Sequence, residues 1–243
     1  MIKVLINGAK GKMGVETVKA VSNDSELELV GTIDFDDNLS QAITDLKPDV
    51  VVDFTNPDSV KGNTLTILNS GCYAVIGTTG LSEKDLMDLE IAALENKTAV
   101  LVCPNFAIGA VLMMQFAAQA AKHMPRCEII EMHHDKKIDA PSGTAIKTAE
   151  LICESNPQIN VEKLKEKEIV LGSRGGNKHN IPIHAIRLPG FVANQEVIFG
   201  GLGQTLHIKH DTISRESFMP GVILSIKKAQ SLKGLVYGLE NLL

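Results

Sequence analysis

The chain has 243 residues, enough for one large domain or two small ones. Its formal net charge of −5, the lack of any dense Lys/Arg run and the absence of Trp argue against a surface built for phosphate contacts and base stacking, so no nucleic-acid partner is expected. The four cysteines, Cys72, Cys103, Cys127 and Cys153, form no CxxC pair, which excludes a disulfide framework or thiolate zinc site and fits a reducing compartment. Met1-Ile2-Lys3-Val4-Leu5-Ile6 runs straight into a glycine loop and reads as a first strand, not a secretory leader. No apolar stretch is long enough to span a bilayer, so a cytoplasmic protein with no membrane partner is expected.

Short β-branched runs at Ile2–Ile6, Leu27–Ile33, Val50–Asp53, Ala74–Ile76 and Ala99–Cys103 alternate with helix-like segments at Val15–Val21, Ser59–Leu68 and Ser82–Leu94. Apolar runs without polar alternation suit strands buried on both faces, and this order predicts a right-handed, doubly wound parallel sheet. After Pro104-Asn105 the pattern changes. An apolar helix at Gly109–Ala121 leads to a strand at Glu128–His133, a polar loop and a helix over Ser142–Cys153 capped by Ser142. Ile181–His210 alternates like consecutive antiparallel strands, with turns at Leu188-Pro189-Gly190 and Gly200–Gly203. Gly221–Leu242 reads as helix and is expected to pack back on the first domain. The expected division is therefore 1–104 with 215–243, a Rossmann-like α/β domain, and 105–214, an α+β domain with a mixed or antiparallel sheet.

The first strand ends in Asn7-Gly8-Ala9-Lys10-Gly11-Lys12-Met13-Gly14, a GxxGxxG variant of the dinucleotide fingerprint. Glycine permits the tight turn, the close approach of backbone to pyrophosphate and the packing of helix on strand, while free N–H groups at the helix start bind the anion. A plain connecting turn would also use these residues. Asp34 closes the second strand, at the offset where an acid accepts from the adenosine ribose hydroxyls. Phe35 follows it, not Arg, so NADH is favoured, although Lys10 or Lys12 could reach a 2′-phosphate. The expectation is NADH and/or NADPH, with NADH used at least as well.

The segment from Glu131 to Ala145, EMHHDKKIDAPSGTA, carries the most information. Pro141-Ser142-Gly143-Thr144 opens a helix whose first N–H groups lack intrahelical partners, and Gly143 has no side chain to obstruct an anion there. Ser142 and Thr144 add hydroxyls. An ordinary capped helix reads the same way, but His133, His134 and Lys137 lie just upstream and all can carry positive charge. Adjacent strand residues face opposite sides, so only one histidine can enter a pocket unless the strand ends there. Proton delivery needs a group that titrates near neutrality, and a lysine can both hold a carboxylate and donate a proton. A metal on His133, His134 and Asp135 is not expected, because adjacent ligands rarely converge on one tetrahedral ion. No G-x-S-x-G elbow surrounds Ser142.

This segment resembles the 4-hydroxy-tetrahydrodipicolinate reductase (dihydrodipicolinate reductase) family of bacterial lysine synthesis, whose E-x-H-H-x-x-K-x-D-x-P-S-G-T-A signature it matches at every fixed position. Asp53-Phe54-Thr55, Gly77-Thr78-Thr79-Gly80, Pro104-Asn105-Phe106 and Ser214-Arg215 followed by Phe218 extend the likeness over nearly the whole chain. The resemblance implies reduction of a cyclic dicarboxylate by NAD(P)H. It implies His133 as general acid/base, Lys137 as proton donor and carboxylate ligand, and substrate contacts from His134, Ser142, Gly143 and Thr144. It also implies that Gly77, Thr78 and Thr79 meet the nicotinamide ribose region, that Thr79 reaches substrate, and that Pro104, Asn105 and Phe106 contact nicotinamide. Phe54 and Phe218 could pack on cofactor or simply in the core, and Arg215 is a candidate cofactor or hinge residue. Asp139 either fixes the loop or is an exposed acid. The likeness further implies a homotetramer assembled through the strands of residues 105–214. One departure is Ala193-Asn194-Gln195, where many members have Gly-Glu-His in a turn. The rival readings are another Rossmann dehydrogenase, of an amino acid or semialdehyde, and a redox-sensing NAD(H) regulator, which lacks the basic patch it would need.

Overall fold

The computed structural model describes residues 1–162 and 165–243. Residues Met1–Ile108 and Arg215–Leu243 form one unit, and Gly109–Ser214 form another. In the first, strands β1 (Ile2–Asn7), β2 (Leu27–Ile33), β3 (Val50–Asp53), β4 (Tyr73–Ile76), β5 (Ala99–Val102) and β11 (Gly234–Tyr237) make one sheet in the order β11-β5-β4-β3-β1-β2. Every pairing is parallel. The strands lack polar alternation because both faces are covered: Val4, Leu5, Ile6, Val50, Val51 and Val52 are wholly buried. Helices α1 (Lys12–Asn23), α2 (Leu39–Leu46), α3 (Val60–Asn69), α4 (Glu83–Glu95) and α7 (Met219–Ala229) accompany the sheet. Leu5, Ile67, Leu68, Ile76, Leu89 and Val100 lie at the centre of one core, each buried aliphatic contributing about 1.5–3 kcal/mol. The chain leaves β1 for β2 on one side and returns to β3 on the other, so the topological switch point falls at the carboxyl ends of β1 and β3.

Two local expectations change. Leu39–Leu46 is a helix not assigned above, although Leu39, Ala42, Ile43 and Leu46 keep helical spacing and face the core; it is capped by Asn38, whose side chain accepts from Gln41 N–H. Gly221–Leu242 is not one helix. α7 stops at Ala229, Gly234 takes a left-handed φ of 65°, and the next residues pair with the edge of β5 as a sixth strand.

The second unit contains α5 (Ile108–Ala121, entered at the boundary), β6 (Arg126–His133), α6 (Gly143–Ser155), β7 (Gly176–Lys178), β8 (Ile181–Arg187), β9 (Ala193–Gly201) and β10 (Gln204–Thr212). The sheet order is β10-β9-β6-β8-β7. β9 and β10 form the expected antiparallel hairpin, but β8 and β9 are not neighbours; β6 inserts between them, antiparallel to β9 and parallel to β8. The sheet is therefore mixed. Along β6 the burial alternates with period two. Cys127 and Ile129 pack with Ile183, Val197 and Phe199 against Ala117 and Ala121 of α5 and Ala145, Ala149 and Ile152 of α6. Glu131 and His133 continue that face toward the start of α6.

Candidate active site

In the first unit a cleft of ≈ 590 Å³ opens at the switch point, lined by Asn7, Gly8, Gly11, Asp34, Phe54 and Thr55 among others. The glycine loop is shaped by contact. Gly8 has φ +83°, and a Cβ there would stand 2.4 Å from the Phe54 carbonyl oxygen. A Cβ on Gly14 would stand 2.1 Å from the Gly8 carbonyl oxygen, so α1 rests directly on the loop. Gly11 precedes α1 without a side-chain cap, which leaves the end of the helix open to an anion at Lys12 and Met13. Such a cradle fits a dinucleotide pyrophosphate.

Asp34 sits at the rim. Its carboxylate accepts from Phe35 N–H at 2.9 Å and Lys10 N–H at 2.8 Å, and these two hydrogen bonds hold its carboxyl below the usual range. Phe35 is 91% exposed, and Asp36 and Asp37 follow. The side chains of Lys10 and Lys12 are exposed. Phe54 lies against Gly77, where a Cβ would come within 2.0 Å of its ring, and meets Phe106 edge-on at 5.7 Å. Phe106 is itself buried, whereas Pro104 and Thr79 are exposed and Arg215 and Phe218, on a 3₁₀ turn, are half-buried. Asn105 Oδ1 accepts from Ala107 N–H at 2.9 Å. Thr78 is buried. Its hydroxyl donates to Asp53 Oδ1 at 2.7 Å and accepts from Thr55 N–H at 2.8 Å.

In the second unit β6 ends at His133, so His133 and His134 escape the strict alternation of a continuing strand. His133 Nδ1 lies 2.6 Å from Glu131 Oε2, with the imidazole 14% exposed. His134 is half-buried, and its Nδ1 has no hydrogen-bond partner among the described residues. Lys137 Nζ is held between the two oxygens of Asp139, at 2.7 Å from each, which draws the Asp139 carboxyl down. Asp139 is thus an exposed loop acid paired with Lys137. Ser142 caps α6 by accepting from Ala145 N–H, and its own N–H donates to Glu131 Oε1 at 3.0 Å. A Cβ built on Gly143 meets nothing within 4 Å, so the helix start is open to an approaching group. The structure brings His133 and Ser142 onto one carboxylate. Lys137 is tied instead to Asp139.

Two residues of this cluster carried no assigned role in the sequence reading. Glu131 is wholly buried and Arg187, at the end of β8, grips it with both terminal nitrogens at 2.8 and 2.7 Å. Glu131 had a signal, since two residues apart on a strand means the same face as His133. Arg187 had none, because the partnership spans 56 positions and needs the β6–β8 pairing to be known. That pairing sets Arg187 beside His133 and Ala185 beside Glu131. Ala193-Asn194-Gln195 does not form a turn. It opens β9, with Ala193 opposite His133 and Gln195 opposite Glu131. Gln195 is buried and donates to Thr148 Oγ1 at 2.8 Å.

No group of three or more His, Cys, Asp or Glu able to hold a metal occurs among the described residues. Residues 2–106 match the family model for the N-terminus of dihydrodipicolinate reductase, and residues 109–243 match that for its C-terminus. The 4-hydroxy-tetrahydrodipicolinate reductase of Syntrophomonas wolfei is 49% identical over 99% of this chain and 98% of its own length. That of Listeria monocytogenes is 47% identical over 100% of both chains. A solved dipicolinate-bound dihydrodipicolinate reductase from Paenisporosarcina aligns with a TM-score of 0.91 at 45% identity, covering 100% of each chain. With both family models matched in order and nearly half of all positions shared from end to end, this chain belongs to the dihydrodipicolinate reductases, NAD(P)H-dependent oxidoreductases.

Proposed function

We propose that the two units divide one reaction, with NAD(P)H held on residues 1–108 and 215–243 and the dicarboxylate on residues 109–214. The reaction is reduction of 4-hydroxy-tetrahydrodipicolinate to tetrahydrodipicolinate on the route to diaminopimelate and lysine, the activity for which its relatives are named. When bound, the reduced nicotinamide supplies the hydride. Gly8, Gly11, Gly14 and the first amides of α1, including Lys12 and Met13, receive the pyrophosphate. Asp34 accepts from ribose hydroxyls, beside Lys10. Phe54, Gly77, Thr78, Thr79, Pro104, Asn105, Phe106, Arg215 and Phe218 complete the cofactor surface, Phe54 presenting the ring already packed on Gly77.

On the other unit, His134, Ser142, Thr144 and the open amide end at Gly143 bind carboxylate oxygens. Lys137 leaves its exposed partner Asp139 for a substrate carboxylate and delivers a proton. His133 acts as general acid/base. Fixing both carboxylates aligns the ring before reaction, and the same cations stabilise negative charge that develops on it. The observation that carries this reading is the joining of an imidazole and an anion-binding helix start through Glu131. We further propose a cytoplasmic homotetramer built through the second sheet, whose other face, with Ile130 and Met132 half-buried, is not covered by α5 or α6. No helix among the described residues is long and apolar enough to cross a membrane.

An assay that generates the cyclic substrate enzymatically and follows NADH and NADPH consumption in parallel tests the reading. Turnover is expected with NADH at least as efficient as NADPH. Activity confined to amino acids or semialdehydes contradicts the substrate, and specificity constants strongly favouring NADPH contradict the role given to Asp34. Light scattering should return four times the 26.2 kDa chain mass; a monomer contradicts the tetramer.

A further inference from the structure

The Glu131 carboxylate is wholly buried, and its acceptor positions are filled by four donors. Oε2 accepts from Arg187 Nη1 at 2.8 Å and contacts His133 Nδ1 at 2.6 Å. Oε1 accepts from Arg187 Nη2 at 2.7 Å and Ser142 N–H at 3.0 Å. The guanidinium is anchored independently, donating from Nη2 to the Asp139 carbonyl at 2.7 Å and from Nη1 to the Ile186 carbonyl at 2.8 Å. A permanently charged, bidentate partner favours the ionised acid. Burial alone raises the Glu131 carboxyl, but the hydrogen bonds and charges of His133 and Arg187 outweigh it and hold it at about 2. An ionised carboxylate can only accept, so the proton in the 2.6 Å contact belongs to the imidazole.

We propose that Glu131, clamped by Arg187, is a positioning residue of the reaction: it fixes His133 with its proton on Nδ1, so that Nε2 is the atom that takes up and releases the reaction's proton. This rests on the acid/base role proposed for His133. The Ser142 contact extends the consequence, because one carboxylate then sets both the imidazole and the amide end that receives the substrate carboxylate. A carboxylate that served only to strap α6 to β6 would not dictate the tautomer.

The test combines a spectrum with a double-mutant cycle. In ¹⁵N-labelled protein, His133 is assigned by the signals lost in His133→Asn, and its two ring nitrogens are read across a pH series that includes the neutral ring. The expected pattern is a protonated Nδ1 and an unprotonated Nε2; the opposite tautomer overturns the proposal without any variant of Glu131. In kinetics, Glu131→Gln should lower kcat about 10²-fold with unchanged NADH affinity, and should lower it no further in a His133→Ala background. Independent, multiplying effects overturn the positioning role while leaving His133 in place. Full activity in His133→Ala removes the acid/base assignment itself and the proposal with it.

Discussion

Each unit is organised around a buried carboxylate, and the two are held by donors of different kinds. Asp53, at the carboxyl end of β3, accepts from Asn7 Nδ2, Asn63 Nδ2, Thr55 N–H, Thr55 Oγ1 and Thr78 Oγ1, at 2.7–3.1 Å. All of these are neutral. Glu131, near the end of β6, is held by a guanidinium, an imidazole and one amide. Neutral donors fasten loops: Asp53 ties the ends of β1 and β3 and the residue after Gly77 into one rim around the cleft. A charged clamp on an imidazole fixes where a proton sits. One carboxylate shapes a surface that binds, and the other orients a group that reacts.

Breaking the charged clamp should cost most. Arg187→Ala strands a buried carboxylate and is expected to lower unfolding free energy by about 3–5 kcal/mol in urea titration; a loss below about 1 kcal/mol would place Glu131 in a far wetter setting than its burial implies. Acid should probe the same clamp reversibly. The Glu131 carboxyl is drawn from 4.5 to about 2 in the folded protein, so its contribution of about 3 kcal/mol is complete above the unfolded value and is lost as pH falls through about 2. Unfolding free energy measured from pH 6 downward should therefore carry a Glu131 component that Glu131→Gln abolishes. Identical acid limbs in the two proteins would contradict that assignment. The neutral network should yield least. Asn63→Ala removes one of five donors and should cost about 1 kcal/mol, lowering Tm by roughly 2–4 °C, with dicarboxylate affinity unchanged.

The sheet of the first unit was readable because strands buried on both faces show themselves as short β-branched runs, and Gly8-to-Gly14 marks where the first of them turns. α2 was legible and was passed over: Leu39, Ala42, Ile43 and Leu46 keep the i, i+3, i+4, i+7 spacing of a helix face, and Asn38 precedes them as a cap, but the helix is only eight residues long and follows an acidic loop. β11 escaped for a different reason: apolar residues from Val222 onward kept helical spacing past Ala229, and only the free edge of β5 makes a strand of Gly234–Tyr237. The order of the second sheet was not a local property at all. Alternation identifies β8, β9 and β10 as strands, but nothing in it says that β6 separates β8 from β9. The same limit applied to the candidate site. His133, Lys137 and the Ser142-Gly143-Thr144 helix start lie in one uninterrupted run and could be read together, whereas Arg187 and Gln195 reach that run only across neighbouring strands.

The division of labour between the units is tested most directly by Lys137→Ala, with kcat, the KM for the dicarboxylate and the Kd for NADH measured on one preparation. The account predicts kcat lowered by about 10²-fold, a raised KM and an unaltered Kd. Unchanged turnover, or a loss of NADH affinity equal to the loss of substrate affinity, would contradict it.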